Sequence, residues 1–129
     1  MKQQRGFTVI ELLVAVVFVL LGATVFMIQK NDIETGNRDA QRKTAINAMY
    51  YSLEKVYFKQ FGYYPQRLDD SALASVDPAL LKDPNGVKVG NQQSDYRYEP
   101  STCENGKCRS YTLRADLEKE QDYIKNSDR

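Results

Sequence analysis

The sequence predicts an α+β fold in which one long N-terminal α-helix packs against a small antiparallel β-sheet head with a C-terminal hairpin. An apolar run from Phe7 to Ile28 contains a single charge, Glu11. From Ile46 to Phe61, apolar side chains recur every three or four residues, which is typical of a helix with one buried face. Asn105-Gly106 lies between two extended segments and is a strong signal for a type I′ hairpin turn.

The apolar run is long enough to cross a membrane. At about 1.5 Å per residue, a helix from Phe7 to Ile28 covers roughly 33 Å, which matches the hydrocarbon core of a bilayer. Lys2 and Arg5 precede the run, and no basic excess follows it. The positive-inside rule therefore places the N-terminus in the cytoplasm and the rest of the chain outside.

Glu11 is unusual within this run. An ionised carboxylate at mid-helix costs on the order of 2.5–3.5 kcal/mol on insertion scales, and less near the headgroups. One interpretation places Glu11 at the headgroup level without a role. The other is that Glu11 neutralises a positive charge from another chain in an assembly of such helices.

The stretch Arg5–Val14 (RGFTVIELLV) resembles the class III signal of type IV pilins and the related pseudopilins. The resemblance implies that a prepilin peptidase cuts after Gly6 and leaves Phe7 as an N-methylated N-terminus. It also implies that Glu11 pairs with the Phe7 amine of a neighbouring subunit. The expected regions are a cleaved cytoplasmic leader (1–6), a transmembrane and filament-core half-helix (7–30) and an extracytoplasmic head (31–129).

The chain departs from the family pattern at one position, and two other kinds of segment compete with it. Many type IV pilins have a proline near mature position 22, where this chain has Ile28, so helix melting in a filament would depend on Gly22. A secretory signal peptide would have its cleavage site at Leu21–Ala23, but the apolar run is too long and Glu11 interrupts it. A plain single-pass anchor explains everything except the placement of Gly6, Phe7 and Glu11.

The helix is expected to continue outside the membrane to about residue 61. Gly62 is a plausible left-handed cap, and Pro65 follows it. The stretch Phe61–Pro65 (FGYYP) again resembles the helix exit of pilins and pseudopilins. The side chains predicted to face the rest of the head are Ile46, Met49, Tyr50, Leu53, Val56, Tyr57 and Phe61.

A loop region should follow the helix. Asp77 is predicted to cap a short helical turn that starts at Pro78. Residues 83–86 (DPNG) read as a turn, and Val87 with Val89 as the start of a short strand.

Folding the chain at Asn105-Gly106 predicts the register of the hairpin. The expected pairs are Tyr96 with Ala115, Tyr98 with Leu113, Pro100 with Tyr111, and Cys103 with Cys108. One face would then present Tyr96, Tyr98, Tyr111, Leu113 and Leu117 to the helix. Pro100 indicates that its strand lies at an edge or that its nitrogen faces away from the ladder.

The two cysteines are expected to form a disulfide. Cys103 and Cys108 would lie opposite each other at a non-hydrogen-bonded pair, and the head would be outside the cytoplasm. Two free thiols or half of a metal site are the alternatives, but the sequence has no His and no other Cys.

No feature of the sequence indicates catalysis or a cofactor, and we expect a protein that is not an enzyme. It has no His, no phosphate-binding glycine loop and no metal-ligand spacing. Asp116, Glu118, Glu120 and Asp122 lack the glycine-rich turns of a calcium loop, and we expect a solvated charge run followed by a loose tail at 123–129. With 18 basic and 17 acidic side chains, nucleic acid is not expected as a specific partner.

The resemblance thus implies a structural subunit of a type IV pilus, inserted in the cytoplasmic membrane as a precursor and later part of a filament on the cell surface. Its implied partners are further copies of itself, membrane lipid, the prepilin peptidase, and an assembly ATPase with its membrane platform. A pseudopilin of type II secretion or a minor pilin is the alternative within the family. Outside it, the alternative is a membrane-anchored binding module.

Overall fold

The computed structural model describes residues 6–129, and they confirm the α+β architecture. Helix α1 (Val9–Tyr51) continues into a π-helical turn (Ser52–Tyr57) and a short helix α2 (Phe58–Phe61). The chain divides into two compact units, Met1–Glu34 and Thr35–Arg129. The leader's charged residues Lys2 and Arg5 lie outside the described part.

In the first unit, the helix has exposed apolar side chains on all its faces. By length and composition, the continuous helical stretch Val9–Phe61 can cross a membrane, and within residues 6–129 it is the one helix that can. The helix passes through Gly22 without interruption. Thr24 also lies within the continuous helix, and its hydroxyl donates a 2.8 Å hydrogen bond to the Leu21 carbonyl.

In the second unit, the helix buries the predicted stripe as far as Leu53. Of its members, Ile46, Met49 and Leu53 are fully buried, as is the neighbouring Ala45, and Tyr50 is half-buried against the core. Their spacing of three or four residues confirms the periodicity argument for this part of the helix.

Beyond Leu53 the stripe holds only in part, since only Tyr57 is half-buried against the core. Val56 and Phe61 are 42% and 46% exposed, whereas Glu54 is buried. The cause is the π-helical turn at Ser52–Tyr57, which contains more residues per turn than an α-helix and so rotates the following side chains relative to the core. Constant 3.6-residue periodicity cannot anticipate this rotation.

The helix ends where the sequence predicts. Gly62 has φ 76°, and its N–H donates a 2.8 Å hydrogen bond to the Phe58 carbonyl. A left-handed residue at this position favours glycine because it has no Cβ.

The loop region contains the predicted capped turn but not the predicted strand. Asp77 caps a 3₁₀ helix (Pro78–Leu81) by accepting a 2.9 Å hydrogen bond from the Ala79 N–H. The prediction of a strand at Val87 and Val89 is wrong, since the backbone there makes only a single bridge between Lys82 and Lys88. Turns on both sides of this bridge leave no room for a longer extended segment.

The sheet has four antiparallel strands, with β3 (Lys107–Ala115) in the centre. β2 (Tyr96–Glu104) pairs along one side of β3, and all four predicted pairs of the hairpin register are confirmed. Asn105 and Gly106 both have positive φ, 51° and 79°, as a type I′ turn requires. β2 pairs with no other strand in the described chain, so Pro100 lies at a sheet edge as expected.

The other side of β3 holds two short strands, β1 (Tyr64–Pro65) and β4 (Tyr123–Asn126). The expectation of a loose tail is therefore wrong for residues 123–126, which pair with Thr112–Ala115. The sheet buries Tyr64, Tyr96, Tyr111 and Leu113 against the helix, while Tyr98 and Leu117 are half-buried.

Candidate functional site

The candidate site begins just before α1, at residues Gly6 to Glu11. Phe7 is 83% exposed, and the helix starts two residues later at Val9. Thr8 caps the helix, because its Oγ1 accepts a 3.3 Å hydrogen bond from the Glu11 N–H. Threonine followed three residues later by glutamate is the spacing of a capping box, a signal for this helix start that periodicity alone does not supply.

Glu11 lies in the first turn of α1. The unpaired N–H groups of that turn carry partial positive charge, so a carboxylate is favoured there more than at mid-helix. This position lowers the cost of keeping an acid near the end of an apolar helix. It also leaves the carboxylate exposed.

The rest of the first unit offers a large apolar surface. Most of its Val, Leu, Ile and Phe side chains between Val9 and Ile28 are half or more exposed. A helix that is apolar all round needs a lipid or protein environment. Lys30 and Glu34, which follow the apolar part, form an exposed i,i+4 ion pair at 3.8 Å.

In the second unit, the buried Arg42 joins the helix to two loops of the head. Its guanidinium donates 2.8 Å hydrogen bonds to Asp39 Oδ1, Asp95 Oδ2 and Glu118 Oε1. Asp95 precedes β2 and Glu118 follows β3. Sequence periodicity missed this Arg42 cluster, since it counts only apolar side chains.

The charges of the Arg42 cluster shift the pKa values of its acids. Hydrogen bonds from Arg38 and Arg42 lower the pKa of Glu118 to about 2. Burial opposes ionisation of Asp39, but N–H groups of Glu118 and Lys119 together with Arg42 outweigh it and lower the pKa of that carboxyl. Both acids are therefore ionised at neutral pH and hold the helix to the loop between β3 and β4.

A second polar contact lies under the π-helical turn. The buried Glu54 carboxylate accepts hydrogen bonds of 2.9 and 3.0 Å from the Tyr64 hydroxyl and 2.9 Å from the Tyr111 hydroxyl. Burial, followed by the bond to Glu54, raises the pKa of both tyrosines. Glu54 was not among the predicted core residues, because it reaches the interior only through the π-helical turn.

The structure contains the expected disulfide. The Sγ atoms of Cys103 and Cys108 are bonded across the hairpin, and Cys108 is also the residue of β3 that pairs with Tyr64 of β1. The crosslink therefore lies where three strands meet. It fixes the turn end of the hairpin. The loops with Asp95 and Glu118, which contact Arg42 on the helix, lie at the other end.

The acidic residues after β3 are mostly exposed, as expected of a solvated charge run, and they also form ion pairs with cations. Asp116 contacts Arg97 at 2.9 Å, Glu120 contacts Lys43 at 2.8 Å, and Asp122 contacts Arg114 at 3.8 Å. Within residues 6–129, no three His, Cys, Asp or Glu side chains are grouped as metal ligands.

Comparison with protein families identifies the N-terminal segment. Residues 1–27 match the family model for the prokaryotic N-terminal methylation motif. No curated protein and no solved structure gives a significant match to this chain. The motif, together with an apolar N-terminal helix, fits a membrane-anchored precursor and a structural role. Through residues 1–27, the chain carries the signature of the type IV pilins and pseudopilins.

Proposed function

We propose that this chain is a structural subunit of a type IV pilus, processed after Gly6 and polymerised through its N-terminal helix. The observation that carries the proposal is the match of residues 1–27 to the methylation motif. Gly6, Phe7 and Glu11 lie in this segment, in a pattern that resembles the processing and assembly signal of pilins. The exposed apolar surface from Val9 to Ile28 supports it, because filament-core helices need such a surface.

Processing would change the charge at the helix start. Cleavage after Gly6 by a prepilin peptidase removes Lys2 and Arg5 and creates an amine on Phe7, which is then methylated. Glu11 would pair with this amine on a neighbouring subunit. Supporting this role, Glu11 is exposed in the first helical turn and Phe7 is exposed before it.

Polymerisation would exchange one apolar environment for another. In the bilayer, the helix contacts lipid, and in a filament it would contact the same segment of other subunits. Hydrophobic burial changes little in that exchange, so packing and the Glu11 pairing would decide the balance. An assembly ATPase and its membrane platform would supply the work, and the head would lie on the outer surface of the filament.

Mass spectrometry of sheared surface material tests the proposal. We expect the chain in sheared filaments with Phe7 as its first residue, with or without a methyl group. A chain that begins at Phe7 but stays with the membrane would indicate a pseudopilin of type II secretion or a minor pilin. A chain that begins at Met1 or Thr24 would overturn the proposal in favour of an anchored module or a secreted protein.

A glycine substitution separates processing from folding. A Cβ added at Gly6 or at Gly22 meets no described atom within 4 Å, so neither change disturbs the fold of the subunit itself. We expect Gly6→Val to retain the leader, because a side chain hinders close approach of the peptidase. Gly22→Val is the matched control and should still begin at Phe7.

A further inference from the structure

A cavity of about 650 Å³ lies in the head between the end of the helix and the tip of the hairpin. Phe58 and Tyr63 line it from the helix side, and Thr102 and Arg109 line it from the two strands. Its volume falls in the range of sites that hold a small organic molecule.

The cavity has an excess of positive charge. Lys107, Arg109 and Arg129 line it together with a single acidic side chain, Glu104. Within the described residues, none of these three cations has a carboxylate within 4.0 Å. Most arginines elsewhere in the head do have a carboxylate within that distance, as Arg42 does.

Two of these cations are held in place by aromatic rings. Lys107 Nζ lies 5.1 Å from the centroid of the Tyr63 ring, and the Arg129 guanidinium carbon lies 4.3 Å from the centroid of the Phe58 ring. Cation–π contacts fix the side chains without neutralising their charge. The cations already cover these rings, so the cavity is built to receive an anion rather than to stack a base.

The wall of the cavity contains the one β-branched residue with positive φ in the described chain. Thr102 has φ 53°, and the ladder pairs Ser101 with Ser110 and Cys103 with Cys108 but omits the pair between Thr102 and Arg109. A left-handed threonine is strained. Strain of this kind persists where the surroundings enforce it, and it concentrates at ligand sites.

We propose that this cavity binds a phosphate monoester of a small organic molecule. A phosphate monoester carries a charge of about −1.5 to −2 at pH 7, which balances three cations and one carboxylate. Arginine matches its oxygens with forked N–H donors, and lysine adds a point charge. The cavity is much larger than an inorganic phosphate, so the remaining space accommodates an organic part. The site lies entirely in the head and does not depend on filament assembly.

Isothermal titration calorimetry of the full chain in non-ionic detergent micelles tests the site, with glucose 6-phosphate as the probe. We expect saturable binding at one site that weakens as salt is added. Arg109→Gln should weaken binding at least tenfold, since it removes a charge-assisted contact. Arg109 is exposed, so its loss should leave the melting temperature unchanged. Lys107→Gln removes a second cation of the cavity and should also weaken the binding of glucose 6-phosphate, which tests the site independently.

Arg67→Gln is the matched control, because Arg67 is an exposed arginine that lines a different cavity of about 610 Å³. It should change the affinity by less than twofold. The proposal is overturned if glucose 6-phosphate does not bind, or if Arg67→Gln weakens binding as much as Arg109→Gln does. It is also overturned if glucose or inorganic phosphate alone binds as tightly as glucose 6-phosphate.

Discussion

The Tyr111 hydroxyl donates a 2.9 Å hydrogen bond to Glu54, although the two residues lie 57 positions apart in the chain. The bond joins the central strand of the sheet to the π-helical turn. Tyr64 of β1 donates to the same carboxylate, so one buried acid holds three elements of the head together.

Tyr111→Phe should destabilise the head by about 1–3 kcal/mol, because it removes one of the donors that satisfy a buried carboxylate. Thermal unfolding of the full chain in detergent micelles measures the loss. Tyr123→Phe is the control, since its hydroxyl bonds to Asn47 at an exposed site and should contribute little. Equal losses in the two variants would contradict the importance of the Glu54 contact.

Arg42→Met should destabilise the head by about 3 kcal/mol. Removing one partner of a buried ion pair typically costs about 3–5 kcal/mol, and the low end applies because Asp95 and Glu118 keep some contact with water. At roughly 4–8 °C per kcal/mol, the melting temperature should fall by roughly 10–25 °C. Arg38→Met is the matched control. Its side chain is 38% exposed, so it should cost less than about 1 kcal/mol.

Acid should weaken the head in a defined pH window. Hydrogen bonds from Arg38 and then Arg42 lower the pKa of Glu118 from 4.5 to about 2. A depressed pKa contributes stability that is complete above the unfolded value and is lost as pH falls through the folded value. Unfolding free energies should therefore be flat from pH 7 to 5 and fall between about pH 4.5 and 2.

The matched variant for this pH profile is Glu118→Gln, whose side chain does not take up a proton as the pH falls through this range. Its free energy of unfolding should fall less steeply below pH 4.5 than that of the unmodified chain. Parallel curves for the two chains would show that the low pKa of Glu118 does not contribute to the acid sensitivity.

Glu11→Ala should abolish filament assembly while leaving leader cleavage intact. The reason is that the substitution removes the proposed partner of the Phe7 amine but not the sequence around Gly6. Immunoblots of sheared and membrane fractions measure the distribution, and we expect at least a tenfold loss from the sheared fraction. Glu34→Ala removes an exposed acid of the same helix and should assemble normally. Normal filaments from Glu11→Ala would favour the anchored binding module.

Local signals in the sequence predicted several elements correctly. Gly62, Asp77 and Asn105-Gly106 act through their own backbone preferences, so the helix end, the capped turn and the hairpin register follow from a few neighbouring residues. The methylation motif within residues 1–27 is equally local, which is why a family model recognises it.

The parts that the sequence did not predict depend on distant contacts. β4 is a four-residue strand among charged residues, and only β3 gives it a partner. Burial of Glu54 requires the π-helical turn together with two tyrosine hydroxyls from the sheet. The Arg42 cluster draws two of its acids, Asp95 and Glu118, from loops on both sides of the hairpin, and no periodicity in the chain marks such a set.

The edges of the sheet have a consequence for how copies of this protein behave when they are crowded. Open strand edges recruit one another and lead to aggregation. On the β2 side, Pro100 lacks an N–H, and the charged Arg97 and Glu99 precede it in the strand. On the opposite side, β1 and β4 have only two and four residues, too few for a continuous foreign strand. Many heads can therefore be present at high local concentration without their strand edges pairing into amyloid-like sheets.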